Sequence, residues 1–452
     1  MNLKSGSNTG DRYTYMTKTP VPKLILQLAV PTILSMLVTG IYNTADTFFV
    51  GKISTQATAA VGLVFSVMAI IQAFGFLCGH GSGNYLSRML GAGNRKEADE
   101  MASTGFAIAL LLGLILMVLG MIFIEPITEF LGRGATAETL AETRRYMRII
   151  LIGAPFMTGQ FVINNQLRFQ GSAVYAMIGI LCGAVLNIGL DPLLIFVFHM
   201  GVAGAATATV CGQVVSFFVL LYGSRQGENI RLHIRNVHIN THYLFELING
   251  GIPSLFRQGL ASISTILLNT SAGAWGGDAA IAGMSVVTRV VMLIVSCVIG
   301  FGQGYQPVCS FNYGADLKGR VREGYFFSLK WSTVFLFITS AVCFVFAPQV
   351  VTIFRNDPDV IAVGTRALRY QTAILPLCGI IFMSNMMLQS AGKGLKASIT
   401  ASARNGIFFI PLILILPRLL GLTGVELTQP CADLLTILFT VPLVRSELKE
   451  MR

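Results

Sequence analysis

Long apolar runs dominate this sequence, and short polar segments separate them. A helix that crosses a bilayer core needs about 20 mostly apolar residues, and twelve runs meet that length. The segments between the runs are too short to hold a soluble domain. The runs lie near 24–48, 57–82, 103–124, 147–168, 174–197, 201–223, 242–268, 278–302, 326–346, 368–390, 396–417 and 421–444. The pattern predicts an all-α integral membrane protein with twelve transmembrane helices.

The composition agrees with this prediction. Of the 452 residues, 54% are hydrophobic and 12% are charged, and this charged fraction is about half that of an ordinary soluble domain. A soluble enzyme or a nucleic-acid-binding domain of this length needs a charged surface that these residues cannot supply. The net charge of +11 is therefore expected to come from basic cytoplasmic loops rather than from nucleic-acid binding.

The basic residues also orient the predicted helices. With the amino terminus inside, the inner segments carry about twice as many Lys and Arg residues as the outer ones, as the positive-inside rule requires. We therefore predict a multi-pass protein of the bacterial cytoplasmic membrane, with both termini cytoplasmic. Residues 1–23 are polar and lack the apolar core of a signal peptide. The predicted segments are a tail at 1–23, a first lobe at 24–223, a cytoplasmic loop at 224–241, a second lobe at 242–444 and a tail at 445–452.

The two predicted lobes resemble each other at a spacing of about 221 residues. The motif VPTILSM matches IPSLFRQ, for example, and GVAGAATATVCGQV matches GLTGVELTQPCADL. The matched pairs are Pro31 and Pro253, Leu90 and Tyr313, Pro155 and Pro376, Gly171 and Gly392, and Gly201 and Gly421. Six helices per lobe would insert both lobes in the same orientation. Such repeats are typical of secondary transporters, whose substrates bind between the repeats. A central pathway within one chain makes a monomer sufficient.

Two carboxylates lie inside predicted spans of the first lobe. Asp46 is in YNTADTFFVG on the first helix, and Asp191 is in LNIGLDPLL on the fifth. An ionisable residue at the bilayer centre is costly, and it indicates a functional site by default. Because no Lys or Arg lies within the cores of the first six spans, each carboxylate is expected to take up a proton or to bind a cation. Coupling to an ion gradient requires one of these two behaviours.

Neighbouring polar groups strengthen this interpretation. Asn43 precedes Asp46 by three residues and Asn187 precedes Asp191 by four, so each amide shares a helix face with its carboxyl. Pro192 lacks an N–H and frees a carbonyl one turn earlier. These oxygens suit Na⁺ as well as a proton relay, and no other metal and no cofactor is predicted. The alternative is a protonated carboxyl that only forms hydrogen bonds within the bundle.

The second lobe has a different charge pattern. Its span carboxylates, Glu426 and Asp433, are seven residues apart and share a helix face, and its spans also contain Arg257, Arg289 and Arg404. Buried opposite charges tend to pair. The first interpretation is therefore a structural or gating ion-pair network, and the alternative is a second coupling or substrate site.

Amide side chains in or near the spans are candidates for lining a substrate cleft, because a lipid-facing amide is costly. An acidic pocket with aromatic and methionine walls would favour organic cations. The amides are Gln72, Asn164, Asn165, Gln166, Gln258, Gln303, Gln371, Asn385 and Gln389.

Four motifs resemble a known family. They are P-(x)14-D-T-x-x-x-G from Pro31 to Gly51, LSRMLGAGNRKEA, N-x-x-x-D-P from Asn187 to Pro192, and GVAGAATAT. Together they resemble multidrug and toxic compound extrusion (MATE) transporters, and most closely the MepA-like, DinF-type branch. The resemblance covers about residues 18–445.

The resemblance implies twelve helices in two six-helix lobes around a central cleft, and export of drugs or metabolites in exchange for H⁺ or Na⁺. It also implies a coupling site with an Asp on helix one, an Asn and an Asp on helix five, and a Thr on helix six. These positions correspond to Asp46, Asn187, Asp191 and Thr209. In some relatives a helix-one proline is linked to bending on proton uptake, which makes Pro31 a candidate bend. A plain packing kink is the alternative.

The predicted function is cation-coupled efflux of organic, cationic and amphipathic compounds by a membrane protein that is not an enzyme. One alternative is a flippase for lipid-linked substrates in the same superfamily, which usually has a more basic cavity, and the second-lobe arginines favour it. A non-transporting membrane scaffold is the other. The GAG motif lacks the Lys-Ser/Thr of a phosphate-binding loop, so ATP-driven pumping by this chain is excluded.

Overall fold

A computed structural model describes residues 9–133 and 135–451, so the first eight residues of the predicted tail lie outside it. Within those ranges every regular element is helical. The helices are α1 (Thr9–Lys18), α2 (Val21–Gly51), α3 (Thr55–Gly91), α4 (Arg95–Ile122), α5 (Ile124–Leu131), α6 (Ala137–Phe169), α7 (Ala173–Pro192), α8 (Val202–Ser224), α9 (Thr241–Gly314), α10 (Lys318–Val345), α11 (Ala347–Phe354), α12 (Pro358–Ile374), α13 (Cys378–Ser390), α14 (Gly394–Ser402), α15 (Phe409–Leu420) and α16 (Leu422–Glu450). Single π-helical turns at Leu193–Val197 and Ala403–Ile407 follow α7 and α14.

Eleven helical segments in the described ranges are long and apolar enough to cross a membrane. One of them, α9, has 74 residues and breaks at Gly277, where φ is 63° and ψ is −158°. This break separates the runs predicted at 242–268 and 278–302, so α9 supplies two spans. The total therefore agrees with the twelve predicted helices.

The backbone repeats at the spacing found in the sequence. Gly201 and Gly421 each precede a helix, and their φ and ψ angles are 58° and −136°, and 61° and −137°. Glycine adopts this positive-φ conformation without the steric cost that a Cβ would add. The short helices α5 and α11 also recur, each between two long helices. The two halves therefore share local geometry as well as sequence.

The chain divides into two compact units. The first unit contains the described residues up to Thr19 together with Val30–Gly251, and the second contains Pro20–Ala29 and the chain from Ile252 onwards. Helices α2 and α9 therefore each begin in one unit and continue in the other. In both helices the change occurs one residue before a matched proline, Pro31 or Pro253. The lobe boundaries from the sequence stay a prediction.

Helix α1 was not predicted, and it packs against other residues of the first unit. The Arg12 guanidinium donates to the Glu228 carbonyl at 3.1 Å and to the Asn229 Oδ1 atom at 2.9 Å. Burial lowers the pKa of Arg12 to about 10, although nearby Glu228 opposes this shift. Met16 is fully buried, and its sulfur lies 3.2 Å from where a Cβ at Gly171 would be. Helix α1 is thus held by polar contacts of Arg12 and by the burial of Met16.

Candidate functional site

A polar cavity lies inside the first unit, where α2, α3, α6, α7 and α8 meet. Glycines allow this close packing. A Cβ added at Gly183 on α7 would lie 2.6 Å from the Gly212 carbonyl oxygen on α8. Polar side chains from all five helices face the cavity. They include Tyr42, Gln72, Gln160, Asn187, Thr209 and Gln213.

Several buried oxygens in this cavity have no hydrogen-bond donor. Asn187 donates its amide to the Thr209 hydroxyl at 3.5 Å, which leaves its Oδ1 atom without a partner in the described part of the chain. The Oε1 atoms of Gln160 and Gln213 are in the same situation. A buried acceptor without a donor is costly. These oxygens are therefore suited to receive a cation or a proton donor.

Asp191 follows Asn187 by one turn of α7 and is fully buried. Neither of its carboxylate oxygens has a hydrogen-bond partner among the described residues. Pro192 and the π-helical turn at Leu193–Val197 come directly after it. Such turns inside helices are frequent at functional sites. The local backbone at Asp191 is thus irregular, as expected where a helix contributes to a site.

Asp46 on α2 is half-buried, and its Oδ1 atom is buried without a partner in the described structure. Asp46 and Asp191 are close enough for their charges to interact. Tyr42 is also close enough to Asp46 for an electrostatic interaction. No Lys or Arg in the described ranges forms an ion pair with either carboxylate. The two acids predicted from the sequence therefore belong to one electrostatic site.

Tyr146 on α6 is part of this site, although the sequence did not single it out. It is one of the largest fully buried side chains, it contacts Thr209, and it interacts with both carboxylates. In the sequence it stands next to Arg145 and close to Arg148, at the edge of the run predicted at 147–168. Because these neighbours are charged, the sequence pattern gave no reason to expect Tyr146 in a buried site.

Two other residues predicted from the sequence lie apart from these buried oxygens or form no bend. Asn43 is exposed on α2 and has no described hydrogen bond to Asp46. Helix α2 continues through Pro31, and the Ser35 hydroxyl donates to the Pro31 carbonyl at 2.9 Å. The amide of Asn43 is therefore separate from the buried oxygens.

In the second unit the buried carboxylates are paired. The Arg404 Nε atom lies 2.8 Å from Asp433 Oδ1, and Gln371 and Gln429 also donate to this carboxylate. Glu426 pairs at 2.8 Å with Arg366, which lies just before the run predicted at 368–390. Charge-assisted pairs of this kind satisfy both carboxylates. Each carboxylate is thus paired with an arginine, unlike the open acceptors of the first unit.

Arg257 and Gln258 lie side by side on α9 and are partly exposed. Arg257 donates to Asn385 Oδ1 at 3.4 Å and to Ser254 Oγ at 3.5 Å. It forms no ion pair with a carboxylate in the described part of the chain. The structure thus separates Arg257 from Arg404, which the sequence had grouped together.

Comparisons with known proteins agree with these observations. The family model MatE matches the chain twice, at residues 31–193 and 253–415. The chain is 30% identical over 413 residues to the multidrug export protein MepA of Staphylococcus aureus, covering 91% of this chain and 90% of that protein. MepA of Staphylococcus haemolyticus is also 30% identical, over 417 residues, with the same coverage.

Solved structures match as well. An outward-facing multidrug resistance MATE family transporter of the MOP superfamily has a TM-score of 0.91 and 26% sequence identity. The match covers 99% of this chain and all of that one. The prediction of twelve helices in two six-helix lobes is confirmed by this similarity. The repeat is confirmed by the two family matches, which begin at Pro31 and Pro253.

Proposed function

Because this chain belongs to the MatE family, we propose that it is a secondary active efflux transporter. It exports organic compounds in exchange for H⁺ or Na⁺ by alternating access. The multidrug export proteins that it resembles support drug-like substrates. No cofactor and no catalysed reaction is part of this proposal, since the energy comes from the ion gradient.

One observation supports ion coupling above all others: buried oxygen acceptors without donors cluster in the first unit. Asp46 and Asp191 supply carboxylate oxygens, and Asn187 supplies an amide oxygen beside Thr209. A proton would neutralise a carboxyl, whereas Na⁺ would be coordinated by several oxygens at once. Either ion would satisfy groups that are costly to bury alone.

The same cavity favours organic cations as substrates. Tyr42 and Phe161 contribute aromatic rings to its lining, and the amides of Gln72 and Gln160 contribute acceptors. Aromatic rings attract cations through their electron-rich faces, and nearby carboxylates add to this attraction. Amphipathic organic cations therefore suit the cavity, and binding of the coupling ion would compete with them.

The cellular setting completes the proposal. The chain is a multi-pass membrane protein, and its relatives come from Staphylococcus. We place it in a bacterial plasma membrane with both termini in the cytoplasm, on the basis of its basic loops. A monomer is sufficient, because one chain contains both repeats.

The test is transport in liposomes. Ethidium movement is followed under an imposed proton gradient and then under a Na⁺ gradient, with wild type, Asp46→Asn and Asp191→Asn. Asp278→Asn is the matched control, because Asp278 is an exposed carboxylate on α9. Gradient-driven transport that both first-unit variants lose and the control keeps supports the proposal, and the effective gradient identifies the ion. Transport that is independent of both carboxylates contradicts it.

A further inference from the structure

Arg257 is a membrane-span cation that the coupling site does not use. Its two described hydrogen bonds go to neutral acceptors, Asn385 Oδ1 at 3.4 Å and Ser254 Oγ at 3.5 Å. Both distances are at the long end for hydrogen bonds. A guanidinium has five N–H donors, so most of its donor capacity remains available.

Comparison with Arg404 shows what a paired arginine looks like in the same unit. Arg404 donates from two nitrogens to Asp433, at 2.8 and 3.3 Å, and its charge is neutralised there. No described carboxylate does this for Arg257. An unpaired charge within a membrane span is costly and indicates a function by default. Helix packing alone therefore does not account for this arginine.

The groups around Arg257 hold its acceptors in fixed positions. The Asn385 amide donates to the Ala397 carbonyl and to the Thr400 hydroxyl at 3.0 Å, which orients its Oδ1 atom towards the guanidinium. On the other side, Gln389 donates to Ser254 Oγ at 2.8 Å. Asn385, Gln389 and Ser254 are at most 4% exposed. The arginine is thus supported by a buried, neutral and preorganised set of polar groups.

Arg257 itself remains partly exposed, so a ligand can reach the guanidinium that its buried neighbours orient. The planar fork of a guanidinium matches the two oxygens of a carboxylate or phosphate. We propose that Arg257 binds an oxyanion group, a carboxylate or a phosphate, of a transported molecule. The substrates would then include acidic and zwitterionic organic compounds as well as cations. This inference rests on the proposed transport function.

The test compares two dyes that differ only at one acidic group, rhodamine B and its ethyl ester. Binding to the purified full-length protein is measured by fluorescence anisotropy for wild type, Arg257→Gln and Arg257→Lys. Arg445→Gln is the control, because Arg445 is an exposed arginine of the same unit that lies outside the predicted spans. We expect Arg257→Gln to weaken rhodamine B binding by about tenfold or more while ester binding is unchanged, as for loss of a charged hydrogen bond.

Arg257→Lys should retain part of the preference for the acid, because it keeps the charge and loses the fork. Arg445→Gln should leave the binding of both dyes unaffected. Equal weakening of acid and ester in Arg257→Gln would mean a structural role and overturn the proposal, as would an unchanged acid-to-ester ratio. Ester binding also reports whether each variant is folded.

Two further arms separate the sources of the oxyanion and the two proposals. In the first arm, phosphatidylglycerol and phosphatidylcholine compete with rhodamine B. If phosphatidylglycerol alone displaces the dye, and does so from wild type but not from Arg257→Gln, the oxyanion belongs to a lipid headgroup. No displacement by either lipid assigns the site to small acidic substrates. In the second arm, transport of both dyes is measured in liposomes. Absence of transport under either gradient contradicts the transport proposal, whereas the ratio of acid to ester binding still tests whether Arg257 binds an oxyanion.

Discussion

Asp191 in the first unit is buried without a hydrogen-bond partner in the described structure, whereas Asp433 in the second unit is bonded to Arg404. Asn has the shape of Asp and no charge, so Asp191→Asn removes a costly buried group. We expect the variant to keep or raise the wild-type Tm and to lose gradient-driven transport. Thermal unfolding of the purified protein and the liposome assay measure the two effects. A variant that unfolds at a lower temperature would mean that Asp191 is structural.

The same substitution at Asp433 should have the opposite effect on stability. Asp433→Asn leaves the Arg404 guanidinium, whose side chain is 15% exposed, without its counter-charge. Breaking a buried ion pair on one side costs about 3–5 kcal/mol. We expect a clear fall in Tm, measured beside Asp191→Asn under identical conditions. Equal Tm values for the two variants would contradict the distinction between open and paired carboxylates.

The sequence singled out both carboxylates near the first-unit cavity, whereas it singled out only some of the amides that line it. Asp46 and Asp191 are conspicuous because ionisable residues are rare in apolar runs. Gln160 and Gln213 are less conspicuous, since span amides also serve packing and their orientation depends on neighbouring helices. The partner of Glu426 could not be predicted either. A helix face shows which residues are neighbours along one helix, whereas Arg366 comes from another.

At the scale of helices, close packing makes Gly81 a sensitive position. A Cβ at Gly81 on α3 would lie 2.1 Å from the Leu247 carbonyl oxygen at the start of α9, and a backbone atom cannot move aside as a side chain can. Overpacking typically costs about 1–3 kcal/mol. We therefore expect Gly81→Ala to lower the Tm by several degrees.

Gly62→Ala is the control on the same helix, because nothing lies within 4 Å of a Cβ there. Alanine favours helix over glycine by up to about 1 kcal/mol, so this variant should unfold at the wild-type temperature or higher. Thermal unfolding of both variants checks the comparison. If Gly81→Ala were as stable as Gly62→Ala, the tight contact between α3 and the first turns of α9 would be absent.

Helix positions were predictable where apolar length decides them. The run at 201–223 corresponds to α8, Val202–Ser224. The run at 57–82 is shorter than α3, which continues to Gly91 because its polar last turns, including Asn84 and Ser87, are buried within the protein. A run of apolar residues marks the part of a helix that contacts lipid. It does not show how far the helix continues through polar residues. For the same reason the short helix α1 was missed.

At the scale of the whole molecule, the repeat predicts the backbone but not the chemistry. Gly171 and Gly392 share positive φ values of 81° and 77°, as expected for matched positions. The buried acids do not follow this symmetry, since Asp191 is open and Asp433 is paired. Equivalent backbones thus carry a proposed ion site in one unit and ion pairs in the other. Only a few side chains create this asymmetry, so the backbone geometry of the two repeats stays alike.

The orientation of the molecule gives the last prediction. The excess of basic residues in alternate loops places Arg235 in the cytoplasm and Glu138 outside. Both residues are exposed, so a cysteine at either position is accessible to a thiol reagent on its own side. Arg235→Cys and Glu138→Cys are made in a variant whose eight native cysteines are replaced. A membrane-impermeant maleimide should label Glu138→Cys in intact cells and Arg235→Cys only after permeabilisation. Twelve spans place both termini on one side, so the reverse labelling pattern would mean that the whole molecule has the opposite orientation. Labelling of both cysteines in intact cells would contradict the predicted number of membrane crossings between the two positions.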